Sequence, residues 1–285
     1  MSLLKTYLEL SKVKITIAVA FTTITGYVLA NGAFDLGLVL PTLGIFILAC
    51  ASSALNHYQE READSKMDRT KNRPIPSGRI SPTHALMFSI ILTFIGSYLL
   101  YVGSDFLGLQ LGLLAMLWYN GIYTPLKRKT AFAVIPGSVI GSLPPLVGWV
   151  AGGGSITDPK ALIIAFFFFI WQVPHFWLLM LKYGEQYKKA GYPNIVTIYS
   201  SQQIKNTTFI WTLSTSIAAL MIPFYGITNS FISNIGVLLA CIWLIFVFVK
   251  LLRKSSKPIN PFYYFMRINY FILVVIVFFS IDHLL

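Results

Sequence analysis

Charged residues are scarce in this chain: they make up 11% of its 285 residues, and only 10 residues are acidic. No hydrophilic block is long enough to form a soluble domain of its own, so we expect residues 1–285 to fold as a single domain. The net charge of +12 would suggest acidic partners in a soluble protein. In a membrane protein the distribution of Lys and Arg matters more than their sum, and we expect no nucleic-acid partner.

Cysteine is rarer still. Cys50 and Cys241 both lie inside apolar runs, which argues against a disulfide framework. The N-terminal segment, residues 1–14, has no short apolar run followed by a small-residue cleavage site. We therefore expect no cleaved signal peptide.

Apolar residues are abundant: 56% of the chain is hydrophobic and the mean hydropathy is +0.70. Several apolar runs reach the ~20 residues that cross a bilayer core. The chain is therefore predicted to be an all-α, polytopic membrane protein, a bundle of nine transmembrane helices. The predicted spans are Ile15–Leu29, Leu36–Leu55, Ala85–Val102, Leu107–Tyr123, Ala131–Ala151, Ala161–Leu181, Thr207–Tyr225, Ile235–Leu252 and Phe265–Ile281.

The positive charges predict the orientation of these spans. With nine spans, 21 of the 22 Lys and Arg residues fall on one side of the membrane, and only Lys160 falls on the other. Because Lys and Arg collect in cytoplasmic loops, the N-terminus is predicted to be cytoplasmic and the C-terminus to lie across the membrane. Any site that needs several charged groups is then expected at the cytoplasmic face.

The stretch Asn56–Arg79 holds ten charged residues directly after an apolar run, and four of them are carboxylates within nine residues. Asn56, Glu60 and Asp64 recur every four residues, so on a helix each side chain is turned only about 40° from the one before. Such a stripe suits Mg²⁺, which takes one or two carboxylates and phosphate oxygens. Arg69 and Arg73, also four apart, suit phosphate groups. The alternative is a solvated loop with internal salt bridges.

The spacing of this stretch resembles the first aspartate-rich motif of the UbiA superfamily of intramembrane prenyltransferases, and most closely that of its heme O synthases (protoheme IX farnesyltransferases). The motif is read at Asn56, Glu60, Asp64, Met67, Arg69, Thr70, Arg73 and Pro74. Four further stretches resemble that subfamily and follow in its order: Tyr123–Thr130, Gly141–Trp149, Trp171–Trp177 and Tyr187–Pro193. The resemblance extends over essentially the whole chain.

This resemblance implies the transfer of the farnesyl group of farnesyl diphosphate to a vinyl group of heme b, with water completing the new substituent and diphosphate leaving. It also implies a place in the plasma membrane with a cytoplasmic active face, and a heme A synthase or terminal oxidase that uses the product. It assigns Mg²⁺ to Asn56, Glu60 and Asp64. It assigns the diphosphate to Arg69, Arg73, Lys127 and Arg128, and the heme or prenyl cavity to His57, Tyr123, Trp149, His175 and Tyr187.

Two positions depart from the family pattern. Glu60 stands where the family usually has Asp, and its longer side chain can still bind Mg²⁺. Where related enzymes have a second acidic motif, this chain has Lys182–Tyr187, in which Glu185 is the only acidic residue. Glu185 is thus the one candidate ligand in this segment for a second Mg²⁺.

Two histidines are candidates for the cavity. His57 is turned about 100° from Asn56 on a helix, so we expect it to face away from the stripe. It either approaches the heme or caps the end of the helix. His175 follows Pro174 near the cytoplasmic end of a predicted span. It is either a heme contact, through the iron or a propionate, or a hydrogen-bonded histidine of the bundle.

Two other functions remain possible from the sequence. One is another UbiA-type prenyltransferase whose acceptor is an aromatic acid or a quinone precursor. The other is a non-enzymatic transporter, although transporters place their polar sites near the bilayer midplane, whereas here charge is concentrated at one edge.

Overall fold

The computed structural model describes residues 3–253 and 259–282, so Lys254 and Lys257 of the last basic loop lie outside the described residues. In these two ranges the chain is helical, with no β-strand. The all-α prediction is confirmed. The α-helices are α1 Leu3–Leu10, α2 Val13–Asn31, α3 Val39–Ser65, α4 Pro82–Leu117, α5 Thr124–Leu126, α6 Val134–Gly137, α7 Val139–Ala151, α8 Pro159–Lys182, α9 Gly184–Lys189, α10 Ser201–Phe224, α11 Phe231–Phe248 and α12 Pro261–Ile281.

Eight helical stretches in the described part are long and apolar enough to cross a membrane, one fewer than the nine predicted. The difference comes from one stretch, Pro82–Leu126, which is 45 residues long. The other seven stretches overlap predicted spans one to one. The chain is thus a multi-pass membrane protein that folds as a helical bundle.

The long stretch is not one straight rod. Its backbone leaves helical geometry at Ser104 and Asp105, where the φ of Asp105 is 55°. The hydroxyl of Thr93 lies 3.6 Å from the sulfur of Met116, whereas 23 residues of straight helix would separate them by roughly 35 Å. The chain therefore reverses between them, and the two halves match the separate predicted spans Ala85–Val102 and Leu107–Tyr123. The total of nine and the orientation of the N-terminus stay predictions.

Helices α2 and α7 pack with their backbones in contact, and glycine makes this possible. A Cβ atom at Gly148 would overlap the carbonyl oxygen of Thr23, and one at Gly26 would overlap that of Pro145. Large side chains fill the core elsewhere, including the fully buried Phe167 of α8. The close contact fixes α2, and with it the joint between α1 and α2, against the rest of the bundle.

The polar end of the bundle lies at the C-terminal end of α3, which extends beyond the apolar core. The last turns of α3 carry buried polar side chains, while its first half packs against α4 through Gly44 and Leu48. A π-helical turn, Trp118–Tyr123, follows α4, and such turns are frequent at functional sites. Asn120 in this turn exchanges two hydrogen bonds of 3.0 Å with Gln59 of α3. These bonds fix the end of α4 against the polar part of α3.

Candidate active site

The predicted stripe of α3 exists. The helix continues to Ser65, so Asn56, Glu60 and Asp64 share one face, and all three are buried, with 1%, 6% and 1% of their surface exposed. After the helix ends, the hydroxyl of Thr70 donates to the carbonyl oxygen of Asp64 at 2.9 Å. The loop that follows α3 is thereby folded back over the end of the stripe.

Asp64 is bound by an arginine from that loop. Nη1 of Arg73 lies 2.8 Å from both carboxylate oxygens of Asp64. The Arg73 side chain is only 19% exposed, so the pair is largely shielded from water. An anion bound beside Asp64 would therefore also contact Arg73.

Glu60 has three partners from three parts of the chain. Lys127 Nζ lies 2.6 Å from Glu60 Oε2, and Asn56 Nδ2 donates to the same oxygen at 2.9 Å. The hydroxyl of Tyr192 donates to Oε1 at 2.7 Å. Burial lowers the pKa of Lys127, and the charge of Glu60 acts in the opposite direction. Burial and the neighbouring Glu60 raise the pKa of Tyr192, so Tyr192 stays a hydrogen-bond donor.

A lysine from the joint between α1 and α2 completes the group. Lys12 Nζ donates to Asn56 Oδ1 at 2.9 Å. Burial lowers the pKa of Lys12 to about 7, and the charge of Arg73 adds to this effect. We refer to Lys12, Asn56, Glu60, Asp64, Arg73 and Lys127 as the polar cluster.

The donor atoms of the polar cluster suit Mg²⁺. Two carboxylates and a carboxamide provide the oxygen ligands that a hard cation takes while keeping several waters. In the structure, cationic side chains are bonded to these oxygens, and across the described residues no three His, Cys, Asp or Glu side chains converge on one point. The residues thus fit a Mg²⁺ ion that is coordinated partly by a few protein oxygens and partly by the oxygens of a bound anion. They do not fit an ion coordinated by protein ligands alone.

The family assignment follows from the sequence as a whole. Residues 19–271 match the model of the UbiA prenyltransferase family. The chain belongs to the UbiA prenyltransferase family. The predicted family is confirmed, as is the prediction that the chain is an enzyme of the prenyltransferase class.

Relatives of this UbiA-family chain match it over 77–97% of its length. The protoheme IX farnesyltransferase of Nitratidesulfovibrio vulgaris (strain DP4) is 33% identical over 87% of this chain and 86% of its own length. That of Christiangramia forsetii is 32% identical over 97% of this chain and 93% of its own length. Likewise, that of Geobacter sulfurreducens is 34% identical over 77% of this chain and 81% of its own length.

Solved structures show the same UbiA fold. One, from work on digeranylgeranylglyceryl phosphate synthase in membranes, has a TM-score of 0.80 at 21% identity and covers 99% of both chains. A UbiA homolog from Archaeoglobus fulgidus bound to GPP and Mg²⁺ has a TM-score of 0.68 at 14% identity, covering 98% of this chain and 100% of its own. At these identities the likeness shows the fold alone.

The four basic residues assigned to the diphosphate divide into two pairs. Arg73 and Lys127 lie inside the polar cluster. Arg69 and Arg128 are exposed: the Arg69 guanidinium lies 4.6 Å from the centre of the Tyr183 ring, and Arg128 Nη2 donates to the carbonyl oxygen of Gln59 at 2.8 Å. Arg69 and Arg128 thus lie at the rim of the polar cluster rather than within it.

The segment at the second acidic motif meets the loop after α3 through a neutral residue. Glu185 is exposed, and its neighbour Gln186 accepts a hydrogen bond from the backbone N–H of Arg69 at 3.0 Å. Glu185 is thus not brought to the buried stripe of α3, because the first turn of α9 directs Gln186 toward that loop instead.

Two of the three predicted aromatic residues lie beside the polar cluster. The Tyr123 ring is stacked on Phe176, with centroids 5.6 Å apart, and Lys127 Nζ lies 5.3 Å from the Tyr123 centroid. Tyr187 contacts the ring of Tyr192 edge to face at 5.6 Å. These rings form an apolar wall next to the buried charges.

Trp149 is not part of this wall. Its indole N–H donates to the carbonyl oxygen of Ser155 at 3.1 Å, in the loop after α7. The other end of the α6–α7 segment contacts Tyr123 through Gly137, and the 12 residues between Gly137 and Trp149 span roughly 18 Å of helix. The structure therefore places Trp149 at the opposite end of the bundle.

His57 lies on the same face of α3 as the stripe. Counted from Asn56 at 100° per residue, His57 and Asp64 point within roughly 20° of each other, so the larger rotation from Asn56 does not turn His57 away. It is 1% exposed, and neither ring nitrogen has a hydrogen-bond partner among the described residues. Because α3 ends at Ser65, His57 does not cap the helix, and that alternative is wrong.

His175 lies in an aromatic pocket between α8 and α12. Its ring centroid is 4.9 Å from those of Trp171 and Phe265, and its Nδ1 is buried without a partner among the described residues. The His175 ring also lies 5.6 Å from that of Phe176, and Phe176 is stacked on Tyr123. The structure thus links His175 to the aromatic wall of the polar cluster.

Sequence reasoning missed two residues of the site, Lys12 and Tyr192. Lys12 looks like an ordinary basic flank of the first span, and nothing in the spacing of Lys12 and Lys14 distinguishes one from the other. Tyr192 does carry a signal, because it stands within the Tyr187–Pro193 stretch that resembles the family. Its bond to Glu60, 132 residues away, is visible only in the fold.

Proposed function

We propose that this chain is a protoheme IX farnesyltransferase, which transfers the farnesyl group of farnesyl diphosphate to a vinyl group of heme b. The observation that carries the proposal is the match, over 87% of the chain, to a relative named for this activity. The new carbon–carbon bond forms between farnesyl C1 and the vinyl group, water supplies the hydroxyl, and diphosphate leaves.

The polar cluster supplies what ionisation of an allylic diphosphate needs. As the carbon–oxygen bond breaks, negative charge grows on the leaving group, and cations placed beforehand stabilise it more than they stabilise the substrate. Arg73 and Lys127 stand beside the buried carboxylates for this role, with Arg69 and Arg128 at the rim. Bound at Asn56, Glu60 and Asp64, Mg²⁺ would add charge neutralisation of the same kind.

The aromatic wall serves the other product of ionisation. An allylic cation is stabilised by the faces of aromatic rings and must be kept from water until it meets its acceptor. Tyr123, which is stacked on Phe176 and lies beside Lys127, is the candidate ring for this role. The prenyl chain is thus expected to lie along these rings, with its diphosphate at the polar cluster.

We place the heme acceptor near His175. A porphyrin needs a large apolar surface, and Trp171, His175 and Phe265 form an aromatic group adjoining the wall. The acceptor in the names of the matching relatives is protoheme IX rather than an aromatic acid or a quinone precursor. We further propose that the site faces the cytoplasm at the plasma membrane, and that a heme A synthase or a terminal oxidase receives the product.

The proposal is tested with the purified protein in detergent, incubated with heme b, farnesyl diphosphate and Mg²⁺. Mass spectrometry is expected to show a heme product heavier than heme b by one farnesyl group and one hydroxyl, together with released diphosphate. A sample treated with a chelator is the control and should give none. A heme b peak that stays unchanged, while a known farnesyltransferase reacts in the same mixture, would refute the proposal.

We propose that Glu185 is not a metal ligand, and we expect Glu185→Ala to keep turnover within about twofold of wild type, as is usual for an exposed change away from a site. The variant is assayed beside Gln186→Ala, which loses the contact with the Arg69 backbone. A large loss of Mg²⁺ dependence in Glu185→Ala would return Glu185 to the metal site.

A further inference from the structure

Lys12 is held in an unusual backbone conformation. It stands between α1 and α2 with φ 46° and ψ 47°, the left-handed region that residues other than Gly, Asn and Asp rarely adopt. Such positions persist where the surrounding structure enforces them, and they concentrate at functional sites. The conformation turns the chain so that the Lys12 side chain enters the bundle.

The amine of Lys12 reaches the stripe of α3. Its Nζ lies 2.9 Å from Oδ1 of Asn56, and Asn56 in turn donates to Glu60. Lys14, only two residues further on, is exposed. Lys14 is thus a flanking charge of the kind that orients a span, whereas Lys12 is directed inward.

Lys12 differs from the other two cations of the polar cluster in its partner. Arg73 is paired with the carboxylate of Asp64 and Lys127 with that of Glu60. The partner of Lys12 is a neutral carboxamide, and within the described residues no carboxylate forms an ion pair with it. Removing a cation from water without a directly paired counter-charge is costly, and an anion with several oxygens bound at this point would offset that cost.

We propose that Lys12 is a further substrate-binding residue, which contacts the diphosphate of the prenyl substrate from the α1–α2 joint. The inference rests on the proposed function, since it takes the diphosphate to occupy the polar cluster. It adds a cation from a part of the chain outside the acidic motif of α3. No bond is made or broken at Lys12, whose role is to hold the phosphate oxygens.

The test is Lys12→Asn, because Asn tolerates the left-handed conformation while lacking the charge. Lys14→Asn is the matched control. Binding of inorganic diphosphate in the presence of Mg²⁺ is measured by titration calorimetry on the full chain in detergent. We expect Lys12→Asn to weaken binding by about 10- to 100-fold, the range for a lost bond between charged groups, and Lys14→Asn to bind within about twofold of wild type. Lys12→Arg should recover part of the loss.

Steady-state kinetics separates binding from a structural role. Lys12→Asn is expected to raise the KM for farnesyl diphosphate and to leave the KM for heme b unchanged. Diphosphate binding equal to wild type, or an equal rise in both KM values, would overturn the inference. If Lys12→Asn does not give a folded protein, Lys12→Gly takes its place, because Gly adopts this conformation most easily. A wild-type protein that binds neither inorganic nor farnesyl diphosphate would instead refute the proposed function itself.

Discussion

Replacing Asp64 by Asn is expected to lower turnover of farnesyl diphosphate at least about a hundredfold, the scale for losing one group that stabilises transition-state charge. Asp64 is the most enclosed carboxylate of the polar cluster, with 1% of its surface exposed. The substitution removes a negative charge from the proposed Mg²⁺ site while keeping the shape of the side chain. Turnover is measured as farnesylated heme formed under saturating heme b.

The fold is expected to survive this change. An Asn oxygen still accepts a hydrogen bond from Arg73, which now holds both carboxylate oxygens at 2.8 Å. Heme b binding, followed by its absorption spectrum, should therefore stay close to wild type. Glu62→Gln is the matched control, since Glu62 lies on the same helix but is exposed. Among the described residues its carboxylate forms one ion pair, with Arg61 at 3.6 Å.

Three outcomes are distinct. Loss of turnover in Asp64→Asn, with heme binding and Glu62→Gln unaffected, supports the role of Asp64. Near-normal turnover in Asp64→Asn would remove Asp64 from the metal site. If Asp64→Asn loses heme binding as well, heme binding and turnover are measured in Asp64→Glu, which restores the charge one methylene further out. This variant distinguishes a collapsed site from a missing metal ligand. Recovered heme binding without recovered turnover would still implicate the position of the carboxylate.

The stripe of α3 was predictable because it depends on local geometry alone. Residues four apart on a helix share a face, so Asn56, Glu60 and Asp64 needed only the continuation of α3. Whether Glu60 meets Lys127, or Asp64 meets Arg73, depends on how loops fold over the helix end. The sequence analysis assigns the carboxylates to Mg²⁺ and the cations to the diphosphate. The structure adds that these cations bond the carboxylates directly.

The positions of Lys12 and Trp149 relative to the site could not be predicted from the sequence. A lysine that flanks a span is normally a topology signal, and only the left-handed turn at Lys12 sends its amine inward while Lys14 stays outside. Trp149 stands in a motif that resembles the family, yet motif membership says nothing about which end of a helix faces the site. In both cases the direction of the chain in space decides, and composition and spacing carry no information about it.

The placement of Lys12 depends on α2, which begins at the next residue and is fixed by its contact with α7. We expect Gly148→Ala to destabilise the protein by about 3 kcal/mol, the upper part of the range for overpacking. The added Cβ would overlap the backbone carbonyl of Thr23, and no side-chain rotation relieves a clash with backbone. The helices must separate instead, losing their packing along Gly26 and Gly148.

Thermal unfolding in detergent checks this prediction, with an expected fall in the apparent Tm of roughly 5–10 °C. Gly121→Ala is the matched control, because a Cβ there meets mainly the flexible end of the Leu117 side chain, at 3.1 Å. An unchanged Tm for Gly148→Ala would mean that α2 and α7 do not approach as closely as described. If Gly148→Ala lowers the Tm and also weakens diphosphate binding, as Lys12→Asn does, the contact between α2 and α7 is what holds Lys12 against Asn56.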